Sequence, residues 1–125
     1  MGNSVITVIA RKKMALARKG EIRLPCIAGI ALGDGGEVDG EIRTPLPENI
    51  TLFNEIIRKP YAVCNKISEI SYRYRIDLAR EELAGKTINE MALYDEEGDL
   101  LAIRTFVGKP KEDDMEMGFE FDDIF

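Results

Sequence analysis

Asp34, Glu37, Asp39 and Glu41 place four carboxylates close together in the chain, a density that could gather a hard cation. Their spacing is not that of an EF-hand loop. With Gly33, Gly35 and Gly36 among them, they read instead as a structural turn. The segment GIALGDGG, Gly29–Gly36, has the glycines of a phosphate loop. It lacks the closing Gly-Lys-Ser/Thr, and no helical pattern follows it. The chain has no histidine, which removes Ser-His and Cys-His nucleophile pairs, histidine metal ligands and the commonest general base. Among the 23 acidic residues some carboxylates must lie close, as in a glycosidase, but nothing in the sequence sets one pair apart. Cys26 and Cys64 have neither a histidine partner nor a CxxC spacing, and each sits in an apolar run. They are expected as buried free thiols that pack as small hydrophobes. Tyr72 and Tyr74 beside Arg73 and Arg75 could bind a nucleic acid, except that strand alternation puts the two pairs on opposite faces.

The elements that would position these residues make one domain of 125 residues. The charge of −6 weighs against a nucleic-acid surface, no apolar run reaches membrane-spanning length, and no signal peptide is evident. Charge is unevenly distributed. Arg11, Lys12, Lys13, Arg18 and Lys19 form a basic stretch without an acid, and residues 95–125 carry eleven acids. The basic five are a candidate interaction surface, and they complement the acidic segment Glu112–Asp123 within one chain or between chains.

Thr7 is a usable N-cap for a helix over VIARKKMALARK, with Gly20 as the residue that ends it. Ile22–Leu32 reads as a buried strand ended by Gly33-Asp34-Gly35-Gly36, and Glu37–Glu48 as a long surface loop. Ile50–Tyr61 could be a helical turn or extended, and Ala62–Ser68 continues as strand. Ile70, Tyr72, Tyr74, Ile76 and Leu78 alternate with polar residues, the pattern of a half-buried strand, and Met115–Phe121 repeats it.

The hairpin around Asp95-Glu96-Glu97-Gly98-Asp99 is the most explicit local signal. Gly98 suits the left-handed position of a three-residue loop, with Asp95 facing Asp99. That register opposes Leu93 to Leu101, Met91 to Ile103, Tyr94 to Leu100 and Glu90 to Arg104. The expected fold is α+β, an N-terminal helix packed on a mainly antiparallel β-sheet or two-layer β-sandwich. Residues 1–6 and 123–125 are expected to be loose.

The order of these features, with IALGDGG, LFNEIIRKPY and GKTINEMALYDEEGDLLAI following the helix, resembles the phage tail-collar fibre protein family. That family is the N-terminal region of tail fibres in contractile-tailed phages and prophages. The likeness covers roughly residues 7–122, and its most specific pieces are Ala31–Gly35, Asn54–Pro60 and Gly85–Ala102. It implies a non-enzymatic virion component, without cofactor or metal, that joins fibre to baseplate. Its partners would be baseplate or tail-fibre proteins, and its place the virion tail, assembled in the bacterial host cytoplasm. Fibres of this kind are generally trimeric through a shaft. No shaft follows here, so a free-standing attachment domain or a prophage remnant is implied, monomeric or weakly oligomeric in isolation. Where the family's helix commonly has a glycine near its start, this chain has Ala10-Arg11. Two other readings are open: an unrelated protein-binding adaptor, and a carboxylate-based polysaccharide depolymerase.

Overall fold

The structure, a computed structural model, describes residues 3–125. In chain order the elements are β1 (Asn3–Ile6), α1 (Val8–Lys19), β2 (Ile27–Gly33), β3 (Glu37–Val38), β4 (Glu41–Ile42) and β5 (Glu55–Pro60). They continue with β6 (Val63–Ser68), β7 (Ser71–Leu78), β8 (Thr87–Asp95), β9 (Leu100–Pro110) and β10 (Met117–Ile124). All pairings are antiparallel, in a five-stranded sheet ordered β1-β9-β8-β2-β5, a three-stranded sheet β10-β7-β6 and the small hairpin β3-β4. The fold is more β-dominated than the expected α+β description, with one short helix. Among the described residues no helix is long and apolar enough to cross a membrane.

Alternation in the strands builds the core. Ile30, Leu32, Met91, Leu93 and Ala102 of the larger sheet pack with Ile76, Leu78, Phe119 and Phe121 of the smaller one. A second cluster on the other face of the larger sheet joins Ala31, Ala92, Tyr94, Leu100 and Ile103 to Leu52 of the loop before β5. Both faces of β8 are therefore buried, so its sequence TINEMALYD shows little hydrophobic-polar alternation.

Four expectations need correction. First, residues 3–6 form the edge strand β1, and Asp123 and Ile124 belong to β10; residues 1 and 2 lie outside the described residues. Second, Glu37–Glu48 contains a tight hairpin, β3–β4. Its Asp39-Gly40 turn has both residues at positive φ, as a two-residue primed turn requires. Third, Cys26 and Cys64 are free and exposed. Cys64 lies on β6, an edge strand with every residue exposed, and Cys26 lies in the linker just before β2.

The fourth concerns the β8–β9 register. The turn is as expected: Gly98 has φ 88°, the Asp95 amide donates to the Asp99 carbonyl, and Tyr94 faces Leu100. Beyond it Leu93 opposes Ala102, Met91 opposes Arg104 and Glu90 opposes Thr105. The shift falls between Leu93 and Tyr94, which leaves Leu101 as an extra residue in β9, a β-bulge. Met91 and Ile103 consequently lie in different clusters, on opposite faces of the sheet. Glu90 and Arg104 do not pair.

The bulge has a structural use. The Leu101 carbonyl accepts a hydrogen bond from the Thr7 backbone amide at 3.0 Å. The Thr7 hydroxyl donates to the Leu100 and Leu101 carbonyls, and accepts from the Ala10 amide as the helix cap. One fully buried threonine thus starts α1 and ties it to β9.

Candidate functional site

Glu90 is an acid in a strand with no solvent-facing side, and it is fully buried. A buried carboxylate needs donors, and this one has three backbone amides. Oε2 accepts from Gly35 at 2.9 Å and from Asn54 at 2.8 Å, and Oε1 accepts from Phe53 at 2.8 Å. Next to it the Asn89 Oδ1 accepts from the Gly36 amide at 2.8 Å. The β8–β9 register shifts again between Ile88 and Glu90, and such an irregularity re-aims adjacent side chains, here Asn89 and Glu90.

The loops bind each other as well. The Asp34 amide donates to the Asn54 carbonyl at 3.1 Å, and the Asn54 side-chain amide donates to Asp34 Oδ1 at 2.6 Å. Glycine is required here for close approach. A Cβ on Gly35 would lie 2.7 Å from the Asn54 nitrogen, and one on Gly36 would lie 2.5 Å from the Asn89 carbonyl oxygen. The turn residues Gly33, Asp34 and Gly35 are thus fixed around Glu90. Asp34 is engaged with Asn54, and Asp34, Glu37, Asp39 and Glu41 do not converge as a ligand set.

A second charged centre joins the helix to the β8–β9 turn. The Lys13 ammonium lies 2.6 Å from Asp95, 2.7 Å from Glu97 and 2.7 Å from Asp99. Lys13 is buried, so desolvation pushes its pKa down. Hydrogen bonds to Asp95, Asp99 and Glu97 outweigh that and hold it above the ordinary lysine value. Asp95 Oδ1 meanwhile accepts from the Glu97 and Asp99 amides, so one carboxylate organises the turn and binds the helix. Among the described residues this is the acidic group compact enough to hold a cation, and the Lys13 ammonium already occupies its centre. The guanidinium of Arg58 caps the outer side of the turn, donating to the Gly98 carbonyl at 2.8 Å.

Of the five basic helix residues, Arg11, Lys12, Arg18 and Lys19 are exposed, and Lys13 is withdrawn from that surface. The acids of Glu112–Asp123 do not pair with the helix. Asp122 binds Arg73 at 2.7 Å, which holds its carboxyl below the usual aspartate range, and Glu120 lies 3.6 Å from Arg75. Sequence reading missed Glu90, Asn89 and Lys13 as organising residues. An acid and an amide in a run otherwise reading as buried strand, Asn89-Glu90 in TINEMALY, were the available signal.

Comparison with protein-family models, curated proteins and solved structures gave no match for this chain.

Proposed function

We propose that the chain is a non-enzymatic structural component of a phage or prophage tail, a domain that joins tail fibre to baseplate. One observation carries the reading. The three segments behind the resemblance, Ala31–Gly35, Asn54–Pro60 and Gly85–Ala102, come together at the Glu90 carboxylate. The segments that suggested the resemblance thus belong to one hydrogen-bonded unit of this chain. A motif set whose residues serve each other's backbone supports an architectural role.

The surface supports the same reading. β6 is exposed along its whole length, and Ile67, Ile70, Tyr72, Ile124 and Phe125 remain open to solvent. An unprotected edge beside exposed apolar residues suits a domain that a partner covers in assembly. The proposed partners are baseplate or tail-fibre proteins. In isolation the chain is monomeric or weakly associated, with trimerisation left to the assembled fibre. The test is co-expression with the products of adjacent genes. Stable co-purification with a tail or baseplate protein is the expected result, and recovery of the chain alone from every combination would contradict the proposal.

A further inference from the structure

We propose that the cleft between α1 and the end of β10 is an anchoring pocket for one arginine side chain of a partner protein, with Asp123 as its counter-ion. The cleft has a volume of about 140 Å³ and walls that include Ile6, Ala10, Met14, Leu24, Ile27 and Phe125. That volume is close to the roughly 150 Å³ at which an apolar cavity admits a single benzene ring. It suits one planar group or one long side chain.

Two acids line the cleft, and they differ. Asp95 is satisfied by Lys13 and by the turn amides. Asp123 has no side-chain hydrogen bond and no ion pair among the described residues, although it is half-buried. Burial pushes its carboxyl up, and no cation offsets that cost. Around the cleft Asp95, Glu97 and Asp99 share the single Lys13 ammonium, and Asp123 adds a carboxylate without an ion pair, so acids outnumber cations there. The other cations of α1, namely Arg11, Lys12, Arg18 and Lys19, are exposed and do not line it.

An apolar slot with an unpaired carboxylate in its wall selects a group with an apolar stem and a cationic head. A guanidinium meets a carboxylate through two parallel hydrogen bonds, which an ammonium cannot do. Of the lining residues, Leu24, Ile124 and Phe125 are exposed, at 45%, 62% and 69% accessibility. Such residues exclude water around a buried anchor, and arginine is among the residues enriched as anchors. The inference rests on the proposed attachment role only in taking the bearer of the arginine to be a protein.

The experiment is a two-dimensional amide NMR titration of the whole chain with benzamidine, a one-ring arginine-like cation. Benzyl alcohol serves as the neutral probe of similar size. Saturable shifts at Met14, Leu24 and Asp123 are expected with benzamidine, at least about tenfold tighter than with benzyl alcohol. Asp123→Asn removes an unpaired half-buried charge and should leave the remaining spectrum intact while abolishing the preference. No saturation, equal affinity of the two probes, or a preference that survives Asp123→Asn would overturn the pocket. A negative titration leaves the attachment role standing, and failed co-purification leaves the pocket standing, so the two are separable.

Discussion

Glu90 Oε2 lies 2.9 Å from the Gly35 amide nitrogen, across 55 residues of sequence. The same carboxylate takes the Phe53 and Asn54 amides, so two loops depend on one side chain of the central strand β8. Glu90→Gln keeps the volume but loses the charge and turns an N–H₂ toward backbone donors. It should destabilise the domain by about 2–4 kcal/mol in urea unfolding. A loss below about 0.5 kcal/mol would mean that the loops hold without it.

Lys13→Met keeps the packing of the helix but leaves Asp95, whose side chain is fully buried, beside Glu97 and Asp99 without a cation. Removing one partner of a buried pair costs about 3–5 kcal/mol. Adding Asp95→Asn should recover part of that loss, since it removes the stranded charge. Additive losses in the double variant, measured by urea denaturation, would contradict the coupling.

At Gly98 the backbone is left-handed, with φ 88°, and the nearest outside atom to an added Cβ is Arg58 Nη1 at 3.7 Å. Space is therefore available, and backbone strain should dominate. Gly98→Val should cost about 1–2 kcal/mol, and Gly98→Asn distinctly less, because asparagine tolerates this conformation. Equal losses in thermal melts would show that crowding, not strain, sets the cost.

Some of this was legible before the structure. Thr7 and Gly20 bound α1 as their capping chemistry requires, and Gly98 sits where a three-residue loop needs it. The β8–β9 register was not legible beyond the turn. Leu100, Leu101 and Ala102 give apolar pairs in either alignment, so hydrophobic pattern alone cannot reveal Leu101 as the bulged residue. Asp39-Gly40 carried a readable hairpin signal that the surrounding glycines and prolines obscured. The burial of Lys13 is not legible in the sequence, because its partner Asp95 lies 82 residues away, beyond any local rule. Ile70 lies in the turn before β7 and Tyr72 near that strand's start, both exposed, although the apolar alternation runs unbroken from them into the buried Ile76 and Leu78.

Asp122 provides the pH test. Its hydrogen bond to Arg73 lowers its folded-state pKa below the ordinary 3.8. The unfolded chain therefore binds the proton more readily, and the pair's contribution is present above about pH 4 and lost as pH falls through the lower folded value. Because the pair is partly solvent-exposed, the contribution should be small and weakened further by salt. Asp122→Asn should thus be slightly less stable than wild type at pH 7, the gap closing in acid. A gap that widens toward low pH would contradict the pairing.

The attachment role is tested most directly on particles. Tail particles from an induced culture of the strain encoding the chain are separated on a density gradient, and each fraction is analysed by quantitative mass spectrometry. The account predicts that the chain sediments with baseplate and fibre proteins at a fixed stoichiometry. Confinement of the chain to the soluble top fractions, while intact tails sediment without it, would contradict the account.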